Sequence, residues 1–441
     1  MTLTSRRTFL GAAAGALAAA GLPSLTGCAK DSGGSNAGGS GSGSGVINVW
    51  GGVPAANGPQ KLIDAFQQAN PKIKVNYTQF VNDAGGNLKL DTALQGGAPI
   101  DVFFTYAFEN VAKRSASKQL LDLTGLVKGD SGLQKLASPE FTPAVDGKVF
   151  CLPTAAEPGV VFINKTMLEA AGIEVPTQWT VEEYHEIARK LSANKVRGSF
   201  ASPKVAIPAL GADAVYTADG KANFTNPAWL AEAKLTEAMA KDGSAFPEKQ
   251  VISQQLQAYS QNVFLGGQAV LWTTAAFSLR YVNNAEQYPH DFITTFAPLP
   301  TPVGVKDAWN TGAYDNFISI AQKSKKQDAA WTFVRFWLGD GAKFLLPAGK
   351  VSPTSPDTTD QLVSGLLGAE PEKRYDVEAF KSVYFSPSIK MGVPKVFAGA
   401  AEIASAQTKV TQQLRLGQIT AEQWTSTMQQ QATAAIGKSG R

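Results

Sequence analysis

Val46-Ile47-Asn48-Val49-Trp50-Gly51-Gly52 is a short apolar run that stops at two glycines, and the rest of the chain is best read outward from it. A run of this kind, bounded by a turn signal, reads as a buried strand. Pro59 then opens a helix with Leu62, Ile63 and Phe66 on one face. Proline suits the first helical position because its missing N–H would have no partner there. Ile73, Val75 and Tyr77 alternate with polar residues, which predicts a second strand. A helix is expected around 88–95, and Ile100-Asp101-Val102-Phe103-Phe104 reads as a third strand. Strands alternating with helices predict an α/β fold, a mainly parallel sheet flanked by helices.

Upstream of Val46 the sequence reads as an address. Ser5-Arg6-Arg7-Thr8-Phe9-Leu10 precedes an Ala/Gly-rich apolar run from Gly11 to Leu22 and then Leu25-Thr26-Gly27-Cys28. A basic segment, a short apolar segment and small residues at a cleavage point make an export signal over residues 1–27. The paired arginines are similar to a twin-arginine signal. The Leu-Thr-Gly-Cys tetrapeptide resembles a bacterial lipobox, which makes Cys28 the expected lipidation site and lipid-tethered N-terminus. Residues 28–45 follow as a Gly/Ser-rich tether with nothing to bury, reaching roughly 20–25 Å. The expected location is the outer face of the cytoplasmic membrane.

Downstream, residues 148–164 hold two apolar runs broken by Pro153 and Pro158, with Cys151 as a buried small residue. Thr180 can cap a helix with Glu183 at its third position, and Val181, Tyr184, Ile187, Ala188 and Leu191 form its apolar face. Strands are expected at 292–299 and 317–321, and helices at 328–338 and over 397–436. Trp179, Trp331, Trp337 and Trp424 are assigned to packing roles.

Composition excludes several functions. The chain has 441 residues, 40 basic and 36 acidic; without Arg6 and Arg7 the balance is near neutral, which leaves no electrostatic footprint for nucleic acid. With Cys28 processed, Cys151 stands alone, so neither a disulfide within the mature chain nor a thiolate zinc site is expected. No cofactor motif occurs: Gly85-Gly86 and Gly96-Gly97 lack the Lys-Ser/Thr of a phosphate cradle. Gly-x-Ser-x-Gly and His-Glu-x-x-His are absent, so no catalytic residue is assigned. Glycoside hydrolysis needs only two carboxylates, and Asp101, Glu109, Glu157 and Asp315 keep that alternative open. An adhesion lipoprotein is a third class.

A series of motifs in fixed order carries a resemblance. Gly147-Lys148-Val149 through Pro153, then Phe162-Ile163-Asn164-Lys165, is similar to an interlobe crossing followed by a Tyr-Asn-Lys-type segment. Pro176-Thr177-Gln178-Trp179-Thr180 resembles a Pro-x-x-Trp-Thr helix start. Phe264-Leu265-Gly266-Gly267-Gln268-Ala269-Val270-Leu271 resembles a Phe-x-x-Gly-Lys-Ala-Ala-Met element. Residues 324–333 resemble a Ser-Lys-x-x-x-Ala-Ala-Trp-x-Phe helix start. Together they resemble the bacterial extracellular solute-binding proteins of carbohydrate-type ABC importers. Gly312-Ala313 stands where that family often has Gly-Gly.

The resemblance implies a two-lobed periplasmic-binding-protein-like fold with hinge crossings near 144–156, 297–305 and 340–353. Lobe 1 is expected over 46–147 plus 300–350, lobe 2 over 148–299 plus 351–441. It implies a small solute, a sugar or oligosaccharide, held between the lobes without turnover, and ABC permease transmembrane subunits as partner. Another polar solute is the remaining alternative. Sugars call for flat aromatics and polar acceptors at strand ends. The expected ligand contacts are therefore Trp50, Gly51, Tyr106, Phe108, Glu157, Trp272, Phe277, Trp309, Asn310, Tyr314 and Asp315. Each aromatic has a competing reading as a core residue, and Trp272 is the first choice as a stacking platform because it follows the Gly-Gly-Gln-Ala segment.

Overall fold

The computed structural model describes residues 44–439 apart from 394, 396 and 397. Cys28 and the export segment lie outside the described residues. Among the described residues, nine strands form two sheets. The first contains β1 (Gly45–Gly51), β2 (Ile73–Gln79), β3 (Val102–Thr105), β4 (Leu152–Glu157) and β9 (Ala313–Ile320), in the order β2-β1-β3-β9-β4. The second contains β5 (Val160–Asn164), β6 (Arg197–Ser199), β7 (Ala269–Thr274) and β8 (Thr294–Ala297), in the order β6-β7-β5-β8.

The parallel pairing expected of alternating strands and helices holds for β1–β2, β1–β3 and β6–β7. Elsewhere the pairs are antiparallel: β9 and β5, which each follow a chain crossing, run against β3 and β4 and against β7 and β8 respectively. Both sheets are therefore mixed.

Each sheet is buried on both faces, and strand alternation sorts the side chains. Ile47, Val49, Val102, Phe104, Ile318 and Ile320 face helices Pro59–Ala69 and Gln327–Leu338, meeting Leu62, Phe66, Phe333 and Trp337. Phe103 and Phe317 face the other way, onto Leu90, Phe108, Val111 and Cys151. Burial pushes the Cys151 thiol well above its usual range, as befits an inert core residue. In the second sheet, Val160, Phe162, Trp272 and Phe296 form one core, and Val161, Ile163 and Leu271 form another against Trp179, Tyr184 and Ala188. Thr180 caps helix Val181–Leu191 in the expected reciprocal box with Glu183. A separate helical core gathers Trp229, Trp424 and Met428.

Within the described residues the chain passes between the sheets three times. The first passage lies at Pro158–Gly159, just past the expected 144–156 and ten residues after the expected lobe boundary at 147–148, because Leu152–Glu157 pairs with β9 in the first sheet. The second is the segment 298–312, between β8 and β9. The third falls between neighbours: Leu345 packs in the core of the first sheet and Leu346 in that of the second. Val351 then bridges Ala156, so this crossing runs along the outer edge of β4.

Candidate solute-binding site

Where the three crossings meet, the chain assembles a polar cluster. Glu157 ends β4 opposite Ala313, and Asp315 sits opposite Ala155, so the two carboxylates share one face of the sheet. Glu157 is buried and accepts from Asn316 Nδ2 at 3.1 Å; it also forms an ion pair with Lys350, which comes from the third crossing. Lys350 is held there by Gly349, whose φ is 73° and where a Cβ would fall 2.0 Å from the Ala276 carbonyl oxygen. Only glycine lets that crossing lie against the start of the 276–282 segment.

That segment supplies the other wall. Phe277 is partly exposed, with Lys350 Nζ 5.4 Å from its ring centre and the Arg280 guanidinium 5.8 Å away. Arg280 donates to the Tyr281 hydroxyl at 2.8 Å and acts electrostatically on Tyr106 of the first lobe. Tyr106 accepts the Gly52 backbone N–H on its own hydroxyl oxygen. Burial pushes the Tyr106 hydroxyl above its usual range. Burial, followed by the neighbouring Glu157 charge, pushes the Asp315 carboxyl up to about 7, while Lys350 pulls the other way. Glu109, nearby on helix Phe108–Ala116, is also raised, chiefly by burial. Tyr384 closes one side by donating to the Ala156 carbonyl at 3.4 Å.

Among the expected residues, Tyr106, Glu157, Phe277 and Asp315 converge at this junction. Trp50 is the next-to-last residue of β1, with Lys89 Nζ 5.8 Å from its ring centre. Gly51 is occupied within the fold: its carbonyl accepts from Phe80 and the Tyr77 hydroxyl lies against it. Tyr314 packs edge-on against Phe141 at 4.7 Å. Two aromatics are corrected. Phe108 is buried against Phe317, and Trp272 is 3% exposed between Phe162 and Phe264. Both belong to cores because strand or helix phase turns them inward.

Trp309 and Asn310 serve the second crossing. The Asn310 side chain accepts from Gly159 N at 2.7 Å and Gly312 N at 2.7 Å, and donates to the Gly159 carbonyl at 3.0 Å. It ties two crossings together. Trp309 lies against Gly211 and Gly392 under Lys390, whose Nζ is 4.0 Å from its ring centre. Both residues border a groove of about 1130 Å³ on the flank of the second sheet, walled by Trp179, Pro298 and Lys390, with neither Glu157 nor Asp315 in its lining. Lys350, Arg280 and Asn316 were missed by sequence reasoning. A lysine directly after a crossing glycine was the one signal available for Lys350.

Among the described residues, no group of three or more His, Cys, Asp or Glu side chains is arranged to hold a metal ion. No described helix is long and apolar enough to cross a membrane.

Comparison with known proteins agrees with this architecture. The Mannitol-binding protein of Pseudomonas aeruginosa is 24% identical over 404 residues, 86% of this chain and 90% of that one. An ABC substrate-binding protein from Listeria monocytogenes, solved in complex with cycloalternan, superposes with a TM-score of 0.74 at 20% identity, covering 89% of this chain and 99% of that one. A maltose-bound T. maritima protein gives 0.67 at 20% identity, covering 88% and 99%. These likenesses establish the shared fold. The family described as bacterial extracellular solute-binding protein matches residues 53–344, about two thirds of the sequence. The chain is therefore a member of the bacterial extracellular solute-binding protein family, a binding protein and not an enzyme.

Proposed function

We propose that the solute is a sugar, a related polyol or an oligosaccharide, captured between the two lobes and handed to the transmembrane subunits of an ABC permease. The observation that carries this reading is the convergence of Phe277, Tyr106, Glu157, Asp315, Arg280 and Lys350 at the junction of the three crossings. A partly exposed ring offers a surface for the CH face of a sugar, and carboxylates offer acceptors for its hydroxyls. The relatives add support, since they include a mannitol-binding protein and complexes with cycloalternan and maltose. Titration calorimetry of the purified protein with mannitol, maltose and larger α-glucans tests the reading. Binding that is lost in Phe277→Ala, with the sugar recovered unchanged, is the expected result. Binding that persists in that variant, or release of a cleaved product, would overturn it.

The anchor is a separate proposal. The lipobox and Gly/Ser tether support attachment of Cys28 to the outer face of the cytoplasmic membrane. Mass spectrometry of the mature N-terminus should find a diacylglyceryl group on Cys28. A mature chain that keeps residues 1–27 would refute it.

A further inference from the structure

The junction between the lobes holds more hydrogen-bond acceptors than the protein supplies with donors. Asn316 has a φ of 55°, a left-handed backbone uncommon for a residue with a side chain, and it lies inside β9. That turn breaks the alternation of the strand and brings Asn316 onto Glu157, beside Asp315. Its Nδ2 donates to Glu157 Oε1 at 3.1 Å. This contact fixes the amide, because the reversed amide would set two oxygens against each other. Asn316 Oδ1 is thereby left buried without a partner. A buried acceptor in that state is costly, and a donor on a bound molecule would relieve the cost.

Two more acceptors stand beside it. Lys350 and Asn316 both meet the same oxygen of Glu157, Oε1, which leaves Oε2 without a protein donor among the described residues. Asp315 takes the Asn316 backbone N–H on Oδ1, and its second oxygen is likewise unserved. One lysine faces two carboxylates, and Glu109 adds a third nearby. Arg280 lies on the other wall, against Phe277 and the Tyr281 hydroxyl. Above about pH 7, where Asp315 is ionised, a molecule entering there meets acceptors and three carboxylates set against two cations, Lys350 and Arg280. Hydroxyl groups match both conditions. A carboxylate brings no donor and is repelled.

Granted the interlobe site proposed above, we propose that Asp315, Asn316 and Glu157 are specificity-determining residues that select a neutral, hydroxyl-donating solute and reject its carboxylate-bearing counterpart.

The test is calorimetry on the purified full chain at a pH of about 8, above the Asp315 titration, with two matched pairs: mannitol with mannonate, and maltose with maltobionate. The wild type should bind the neutral member of a pair at least about tenfold more tightly than the acid. Asp315→Asn removes charge at constant shape, and the gap should narrow to about threefold or less. Asn316→Gly keeps the left-handed backbone and removes the amide. It should weaken neutral binding about fivefold while leaving the solute-free thermal midpoint unchanged or raised. An acid that binds as tightly as its neutral partner overturns the inference and leaves the interlobe site standing, provided Glu157→Gln still alters that binding. So does a folded Asp315→Asn protein with the wild-type gap. No binding by any of the four probes counts against both the interlobe site and this selectivity.

Discussion

Trp272→Ala removes an indole wedged between Phe162, 5.7 Å away, and Phe264, 5.4 Å away, measured between ring centres. Loss of so large a buried side chain should cost about 3–5 kcal/mol in urea unfolding. The fraction that stays folded should bind solute as before. An unchanged unfolding midpoint would return Trp272 to the cleft. The segment Gly266-Gly267-Gln268-Ala269 showed where β7 begins, but a sequence does not reveal which face of a doubly buried strand points where. The partly exposed ring comes five residues later, at Phe277, past the strand end. Asp315 supports a second expectation. Its carboxyl is raised from 3.8 to about 7 by burial and by Glu157, with Lys350 and the Asn316 N–H opposing and Glu109 adding to the rise. A raised acid holds its proton in the folded state over a range where the unfolded chain has lost it. Stability should therefore fall as pH rises from about 4 to about 7 and level off above that. Thermal melts of the solute-free protein from pH 5 to 8 should show this slope, flattened in Asp315→Asn. Equal slopes in both proteins would rule out the assignment.

Helix Val181–Leu191 was legible down to its first hydrogen bonds because every partner is local. Thr180 Oγ1 accepts from Glu183 N at 3.1 Å, and the Glu183 carboxylate accepts from Thr180 N at 2.7 Å. Thr180→Ala should cost about 1 kcal/mol by chemical denaturation; no measurable loss would mean water replaces the cap. The same reasoning located β1, β2 and β3 and the helix at 327–338, whose apolar periodicity lies within short windows. It could not place β9 between β3 and β4, since that position depends on pairing with residues more than 150 positions earlier. The first crossing was set too early for a related reason. Pro153 and Pro158 both interrupt the apolar run, and only the pairing of Leu152–Glu157 with β9 shows which proline marks the passage. Lys350 and Arg280 lie in crossings and short helices, where no periodicity signals a role.

Two sheets joined by three short passages can rotate about them, and a solute that touches both lobes favours their approach. Small-angle scattering with saturating maltose or mannitol should show a smaller radius of gyration if the free protein is open. If the free protein already matches the closed shape, the change should instead appear in Asn310→Ala, which releases the bonds to Gly159 and Gly312 and loosens the hinge. Identical curves in all conditions would argue against lobe closure as the response to solute.

The insertion of β9 between β3 and β4 carries a consequence for how the chain is made. While a ribosome is still short of Ala313, β3 and β4 have no strand to join them, and the first sheet stays in two pieces. The second sheet has no such gap, because all four of its strands lie between Val160 and Ala297. The lobe that begins the polypeptide is thus the one that has to wait. A nascent chain whose exposed part ends near residue 310 should show β5–β8 less readily cleaved by protease than β3 and β4, and release of the full-length chain should remove that difference.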